Sequence, residues 1–287
     1  MGALATEVKD LTREDYDLIR RLVYEKSGIN LGDEKMQLVR ARLGKRLRRD
    51  GFGSFREYYE YVRRDRTGEE LCGLLDAIST NTTHLFREIK HFKLLEEVLG
   101  RWLADKNWRQ QHAALRMWSA ASSSGEEPYS IAMVAHNILQ RLPGIELKIL
   151  ATDISVTMLR KARQGIFDAH RTGTVPPQYR TKYLTGATHQ GDDVVQVVPE
   201  LRRLIKFARF NLMSPTFPFR HGFDVIFCRN VMIYFDKPTQ TTLVNKLAGQ
   251  LREGGYLLIG HSESLNNLKH PLSYVEPTVY HRPRAKN

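Results

Sequence analysis

The sequence has 287 residues, of which 41% are hydrophobic and 26% are charged; this composition is typical of a globular protein and excludes a disordered chain. It has no run of about 20 apolar residues to cross a membrane, no apolar signal-peptide core at its N-terminus, and only two cysteines, too few for a disulfide framework. We therefore expect a cytoplasmic protein without membrane insertion, and its net charge of +12 predicts an acidic partner: nucleic acid, an anionic membrane surface or a carboxylate-rich protein.

Residues 1–80 are predicted to form a small all-helical domain, because stretches with helical periodicity follow one another and no strand pattern separates them. Thr12 and Asp33 precede two of these helices, and Ser54 with Glu57 has the spacing of a capping box at a third. A further helix is predicted near 88–100. We assign residues 81–112 to this linker helix and to a loop that precedes it.

The second predicted helix is the most basic part of the helical domain, since residues 35–49 contain seven Lys/Arg and no acidic residue. Helical spacing places an apolar face at Met36, Val39, Leu43 and Leu47. Beside it, the same spacing predicts one exposed basic stripe, formed by Lys35, Arg42, Arg46 and Arg49. Such a stripe is most often a solvated surface, and the alternative is a surface that binds an acidic partner.

From residue 113 onward, short apolar runs alternate with helical stretches, which predicts an α/β domain whose mainly parallel sheet has helices on both faces. The runs are AALRMWSA, LKILATD, LIKFARF, FDVIFC and YLLIGHSES, and the predicted helices cover 127–140, 155–165 and 238–252. The alternation fails at 166–203, where two short strand candidates flank a turn at Gly191–Asp193. We therefore predict a small antiparallel β insertion within a domain that spans 113–287.

Polar residues follow four of the predicted strands, at the edge where open parallel sheets bind ligands. After the first strand, a turn of small residues leads to Glu127, whose carboxylate would repel a phosphate but suits an ammonium group or a sulfonium. Asp153 follows the second strand, where an acidic residue typically binds ribose hydroxyls, although it could equally be an N-cap. Asn211 offers an amide to a purine edge after the third strand, and Arg229, Asn230 and Tyr234 follow the fourth.

Six separated motifs occur in an order and spacing that closely resemble the chemotaxis receptor methyltransferases, the CheR family. They are STNTTHLFRE, WSAASSSGEEPYSIAM, ATDIS, FNL, FDVIFCRNVMIYFDKP and GGYLLIGHSESL, and the similarity extends from near residue 10 to residue 282. The resemblance implies a Rossmann-like class I methyltransferase domain. It also implies an enzyme that transfers a methyl group from S-adenosylmethionine to glutamate side chains of the receptors and releases S-adenosylhomocysteine.

The resemblance further implies roles for individual residues. Cofactor contacts are implied for Asn81 and Thr83 in a covering loop, Ala120, Glu127 at the ammonium group, Asp153 at the ribose, Asn211 with Leu212 at the adenine, and Arg229 and Asn230 along the pocket. Arg87 is expected at the reactive end of the cofactor, where its guanidinium would grip the acceptor carboxylate, and Tyr234 is expected beside the transferable methyl group. No metal is expected, because an ionised carboxylate can attack without one.

The partner implied by the resemblance is the acidic, helical cytoplasmic domain of a chemotaxis receptor, which the basic stripe would help to bind. The strands of the insertion could in addition accept a receptor C-terminal tail by edge pairing. A nucleic-acid methyltransferase would also suit the charge, but residues 228–231 read Cys-Arg-Asn-Val where such enzymes usually have Asn/Asp-Pro-Pro-aromatic. A non-catalytic module that senses the cofactor is disfavoured by the presence of Arg87 and Tyr234.

Overall fold

The N-terminal part of the chain is helical in the computed structural model, which describes residues 8–140 and 144–284. Its helices are α1 (Arg13–Ser27), α2 (Met36–Asp50), α3 (Phe55–Arg64) and α4 (Glu69–Ile78). The side chains of Thr12 and Ser54 cap α1 and α3 as predicted, by accepting the backbone N–H groups of Asp15 and Glu57. Asp33 instead opens a single 3-10 turn (Asp33–Lys35), so α2 begins at Met36, two residues after the predicted start at Glu34.

The apolar face of α2 is buried as predicted, with Val39, Leu43 and Leu47 fully enclosed and Met36 partly so. The prediction of one exposed basic stripe is wrong for two of its four members. Arg42 donates to the carbonyl oxygens of Ile78 and Ser79 at the end of α4, 2.8 Å from each. The side chain of Arg46 is only 16% exposed and lies 2.8 Å from Glu70 at the start of α4. Lys35 and Arg49 remain exposed.

Arg42 and Arg46 lie against α4 because that helix packs on their side of α2. The carboxyl end of α4 presents carbonyl groups without partners inside the helix, and Arg42 satisfies two of them. Gly73 makes room for Arg46, since a Cβ atom at this position would lie 2.0 Å from the arginine Nη1. These two arginines therefore connect α2 to α4 within the helical domain.

A loop over residues 79–88 leads to α5 (Ile89–Ala104) and α6 (Lys106–Gln111), which precede the first strand. The remaining helices are α7 (Glu126–Leu139), α8 (Val156–Gln164), α9 (Pro177–Tyr183), α10 (Pro199–Arg203) and α11 (Lys237–Gln250). The strands are β1 (Ala114–Ser119), β2 (Glu146–Asp153), β3 (Ile166–Asp168), β4 (Leu184–His189), β5 (Asp192–Val197), β6 (Ile205–Arg209), β7 (Phe223–Cys228), β8 (Leu251–Ile259), β9 (Ser273–Glu276) and β10 (Val279–His281).

The large sheet has the strand order β6-β2-β1-β7-β8-β10-β9, in which the first five strands are parallel and β10 pairs antiparallel with both β8 and β9. All six residues of β7 are buried, as expected of a strand with helices on both faces. Val225 and Phe227 face the core that contains α5 and α7, and Ile226 and Cys228 face the core that contains α11. The predicted α/β class is confirmed, and the strand order reverses direction between β1 and β7, where such sheets form a crevice.

The insertion predicted at 166–203 is a second, antiparallel sheet in the order β3-β5-β4, with α9 and α10 beside it. Strand β3 was not predicted. The turn between β4 and β5 consists of Gln190 and Gly191, both with positive φ, whereas the sequence indicated Gly191–Asp193; Asp193 belongs to β5. Across the residues that the structure describes, no helix is both long enough and apolar enough to cross a membrane.

Candidate active site

A cavity lies at the carboxyl ends of β1, β2 and β7, where the strand order reverses. The turn after α1 and the start of α2 close one side of it, and the loop at 78–83 closes another. Every side chain that the sequence analysis placed at the cofactor or at the reacting groups lines this cavity: Asn81, Thr83, Arg87, Ala120, Glu127, Asp153, Asn211, Leu212, Arg229, Asn230 and Tyr234. Lys35, which was predicted in the basic stripe, lines it as well.

The turn between β1 and α7 brings Glu127 to the cavity. Gly125 has φ of 100° and is the N-cap of α7, and a Cβ atom there would lie 2.9 Å from Cβ of Ala162 in α8. Only glycine lets the two helices approach so closely while the backbone reverses. The Glu127 carboxylate that follows is held from two sides, because Ser119 donates to one oxygen at 2.7 Å and Arg229 to the other at 2.9 Å. Burial raises the pKa of Glu127, and Arg229 opposes this.

Arg229 is the centre of the charged groups beneath the cavity, and its side chain is only 2% exposed. In addition to Glu127, its guanidinium contacts the Glu88 carboxylate at 3.0 Å and donates to the carbonyl oxygen of Arg87. Burial tends to raise the pKa of Glu88, but Arg229 and other donors outweigh this and the pKa is lowered. One buried arginine thus joins the end of β7, the start of α7 and the loop before α5.

Asp153 lies at the tip of β2 with its carboxylate directed along the cavity wall. One oxygen accepts the backbone N–H of Ser155 and the other that of Ser123, each at 2.8 Å. The N-cap of α8 is Ser155 itself, so the alternative that Asp153 is the cap is wrong. Burial raises the pKa of Asp153. Each carboxylate oxygen keeps a lone pair for a further donor.

The Asn211 amide has protein partners that the sequence did not indicate. Its Nδ2 donates to the carbonyl oxygen of Lys26 at 2.6 Å, and its Oδ1 accepts the backbone N–H of Met213 at 2.9 Å. The amide therefore connects the end of α1 to the loop after β6, and it keeps one N–H and one lone pair for a ligand. Leu212 contributes a buried apolar side chain to the same part of the wall.

Arg87 and Tyr234 lie at the cavity and are both half-buried. The guanidinium of Arg87 donates to the carbonyl oxygen of Thr82 at 2.9 Å. Tyr234 ends a 3-10 turn, and its carbonyl oxygen accepts the backbone N–H of Asn30 from the helical domain at 2.8 Å. Its hydroxyl has no hydrogen-bond partner in the described part of the chain, so it is available to a ligand.

Several residues of the site were missed by the sequence analysis. Ser122 lines the cavity, and its buried hydroxyl has no hydrogen-bond partner among the described residues. Glu263 accepts the backbone N–H groups of Asn230, Met232 and Gly260, and so fixes the turn after β7, where Asn230 has a φ of 57°. Both Glu88 and Glu263 lie within the family motifs, in STNTTHLFRE and GGYLLIGHSESL. Their roles could not be predicted from these motifs, because their contacts join positions far apart in the sequence.

Both parts of the chain match models of known protein families. Residues 14–79 match the CheR methyltransferase, all-alpha domain, and residues 81–281 match the CheR methyltransferase, SAM binding domain. The chain belongs to the CheR family of methyltransferases. The chemotaxis protein methyltransferase of Borreliella burgdorferi is 40% identical over 94% of this chain and 95% of its own. Chemotaxis protein methyltransferase 2 of Pseudomonas aeruginosa is 40% identical (94% and 93%), and the chemotaxis protein methyltransferase of Escherichia coli is 36% identical (96% and 93%).

This CheR methyltransferase uses S-adenosylmethionine, and the chemistry of its cavity fits that cofactor. Carboxylates of Glu127 and Asp153 suit a ligand that carries an ammonium group, a sulfonium and ribose hydroxyls. The unpartnered Ser122 hydroxyl needs a hydrogen-bond partner, and the cavity is the open space beside it. Ala120, Leu212 and Phe210 supply an apolar wall to the same cavity.

Proposed function

We propose that the protein methylates glutamate side chains of chemotaxis receptors and releases S-adenosylhomocysteine. The observation that carries this proposal is that Arg87 and Tyr234 both line the cofactor cavity, one as a cation and the other as a hydroxyl without a hydrogen-bond partner among the described residues. A carboxylate acceptor is the substrate that such a pair suits, because a guanidinium binds one carboxylate oxygen and leaves the other free to react. The close relatives named chemotaxis protein methyltransferases support a receptor as the acceptor.

The cofactor would be held along the ends of the strands. Asp153 would accept the ribose hydroxyls and Glu127 the ammonium group, while Leu212 and the backbone of Asn211 would face the adenine. Asn81 and Thr83 would cover the cofactor from the loop before α5, and Ala120 and Asn230 would leave space for it. The bound cofactor supplies the activated methyl group.

Glutamate is ionised at neutral pH, because its unperturbed pKa is about 4.3, so the reaction needs no general base. Alignment and removal of water from the attacking oxygen remain as the main requirements. Arg87 would orient the acceptor carboxylate, and the Tyr234 hydroxyl would donate a second hydrogen bond to the same carboxylate. Arg229 would act as a positioning residue, since it holds Glu127 on one side and the Arg87 carbonyl on the other.

Two surfaces suit the acceptor protein, which we propose is the helical cytoplasmic domain of a receptor. The exposed cations of the basic stripe, Lys35 and Arg49, lie on the helical domain that closes the cavity, and Lys35 itself reaches the cavity. Strand β4 is the second, because within residues 8–140 and 144–284 it pairs with no strand other than β5, and five of its six residues are exposed. A receptor tail could pair with this edge. An acceptor in the cytoplasmic domain of a receptor implies that the reaction takes place in the cytoplasm.

The test uses methyl-labelled cofactor, a cytoplasmic receptor fragment and the variant Arg87→Ala. Wild-type protein should transfer label that mild base releases, as expected of a glutamyl methyl ester. Arg87→Ala should lower turnover by about 100-fold, since misplacement of a reacting group by ~1 Å can have this effect, while S-adenosylhomocysteine affinity changes little. Arg101→Ala, an exposed arginine on α5, is the matched control.

The results separate this proposal from its rivals. Base-stable label, or label on nucleic acid, would favour a nucleic-acid methyltransferase. Cofactor binding without any transfer would favour a non-catalytic module. Equal losses of cofactor affinity and turnover in Arg87→Ala would assign Arg87 to cofactor binding and remove its orienting role.

A further inference from the structure

Beneath the cavity, Glu88, His91 and His261 form a cluster in which the three ligand atoms lie within 4.8 Å of one another. The Glu88 oxygen Oε2 is 3.5 Å from Nδ1 of His91 and 3.7 Å from Nε2 of His261. These side chains come from the start of α5 and from the loop after β8. They take no part in the cofactor contacts described above, although Glu88 pairs with Arg229.

His91 contacts Thr278 on the side of its ring away from Glu88, where Nε2 lies 2.7 Å from Oγ1 of Thr278. In the tautomer with the proton on Nε2, that nitrogen donates to the hydroxyl and the lone pair of Nδ1 faces Glu88. The His91 side chain is only 2% exposed, so water does not freely reach the ring.

In that tautomer, Nδ1 of His91 and Oε2 of Glu88 are two acceptors 3.5 Å apart. Nδ1 of His91 is buried and has no hydrogen-bond partner among the described residues, whereas Oε2 of Glu88 contacts the Arg229 guanidinium at 3.0 Å. A buried acceptor without a donor is costly, and a cation between Nδ1 and Oε2 would satisfy it. The space is reachable from solvent, because the third ligand, the side chain of His261, is 52% exposed.

We propose that Glu88, His91 and His261 form a binding site for a divalent transition-metal ion of the zinc type. Two imidazoles and one carboxylate are a common donor set for zinc, and a water molecule would complete a tetrahedron on the open side. With bonds of about 2.0 to 2.2 Å, the ligand atoms of a tetrahedral site are about 3.3 to 3.6 Å apart. The two separations at Glu88 are close to this spacing. The contact of His91 with Thr278 is the outer hydrogen bond that orients a metal-binding imidazole.

The metal is not required for methyl transfer and would instead oppose cofactor binding. Arg229 contacts the same Glu88 oxygen that the metal would use, and it also holds Glu127 in the cofactor cavity. A cation on Glu88 competes with this contact and repels the guanidinium. Zinc and cofactor should then weaken each other's binding by the same factor, as thermodynamic linkage requires.

The test is a cobalt(II) titration of the untagged full-length protein, because tetrahedral cobalt has strong visible absorption and zinc displaces it. Wild-type protein should bind one equivalent with that spectrum. His261→Asn should weaken binding at least tenfold, and it should fold because the side chain is about half exposed. His221→Asn, an exposed histidine elsewhere, should behave as wild type. No tetrahedral spectrum in wild-type protein would mean that water bridges the two acceptors. That result, or an unchanged spectrum in His261→Asn, would overturn the proposed site.

Calorimetry with S-adenosylhomocysteine tests the linkage to the cofactor cavity. Zinc should lower the affinity of wild-type protein several-fold and should have no effect on His261→Asn. Equal affinities with and without zinc, in wild-type protein that has bound the metal, would overturn the proposed competition at Glu88.

Discussion

The cavity at the sheet edge and the surface of α2 are both rich in charge, but they hold their charged side chains differently. In the cavity, Glu127, Asp153 and Arg229 each have two or more fixed partners and little exposure. On α2, Arg49 is 71% exposed and pairs only with the adjacent Asp50 among the described residues. Buried charges need fixed partners because desolvation is costly, whereas exposed charges stay available to another protein.

A charge pattern in the sequence therefore predicts a binding surface only where tertiary packing leaves the charged side chains exposed. Arg42 and Arg46 share the face of α2 that Lys35 and Arg49 occupy, yet they bind α4. Substitutions in the two regions should therefore act on different properties. Cavity substitutions should change stability and cofactor affinity, and exposed α2 substitutions should change acceptor recognition.

The largest effect is expected for Arg229→Ala, which leaves Glu88 and Glu127 without their buried partner. Loss of one member of a buried ion pair typically costs about 3 to 5 kcal/mol of unfolding free energy. Urea unfolding should show this loss, and calorimetry should show weakened S-adenosylhomocysteine binding. Arg252→Ala is the matched control, because Arg252 pairs with Asp224 beside the opposite end of β7 and should leave cofactor affinity unchanged. Wild-type stability of Arg229→Ala would contradict the contrast between the two regions.

Asp153→Ala should weaken S-adenosylhomocysteine binding more than tenfold, since two hydrogen bonds to a charged acceptor contribute on the order of 1.5 to 3 kcal/mol. Ser155→Ala is the control for loss of local structure. It removes the N-cap of α8, which should cost about 1 kcal/mol of stability, and should leave cofactor affinity unchanged. If both variants lost affinity equally, the role of Asp153 would be to shape the turn after β2.

Much of the fold follows from the sequence, because the central strands are short and mainly apolar. Strand β7 occupies the predicted residues Phe223–Cys228, and α7 begins one residue before the predicted start. Strand β9 was not predicted, because it is only four residues long and contributes no buried residue to the core. It is held by pairing with β10.

The sequence predicted which residues line the cavity, but it did not predict all of their hydrogen-bond partners. The strand ends bring Glu127, Asp153 and Arg229 to one cavity, as parallel topology requires. The sequence could not indicate that the Asn211 amide is used by Lys26 and Met213, because that contact depends on where the helical domain docks. The contact of Arg46 with Glu70 was not indicated either, because it depends on how α4 packs against α2 within the helical domain.

Arg46→Glu should lower the unfolding free energy by roughly 1 to 3 kcal/mol, as for substitutions that break a partly buried ion pair. The new carboxylate would lie near Glu70 and Asp50, which Arg46 now contacts at 2.8 and 3.3 Å. Urea unfolding measures the loss, and the double variant Arg46→Glu, Glu70→Arg should recover part of it. A fully stable Arg46→Glu protein would mean that the arginine is free to bind a partner after all.

Arg49→Glu should have the smallest effect on the protein alone, because the side chain it replaces is exposed and lies at the end of α2. If α2 binds an acidic receptor surface, this variant should raise the KM for receptor a few-fold and flatten its salt dependence, since exposed charges act over ~8 to 10 Å at ordinary ionic strength. Arg64→Glu at the end of α3 changes net charge equally and is the matched control. An effect shared by both variants reflects overall charge. If neither changes the kinetics, the acceptor is recognised away from α2, and the exposed edge of β4 becomes the surface to alter next.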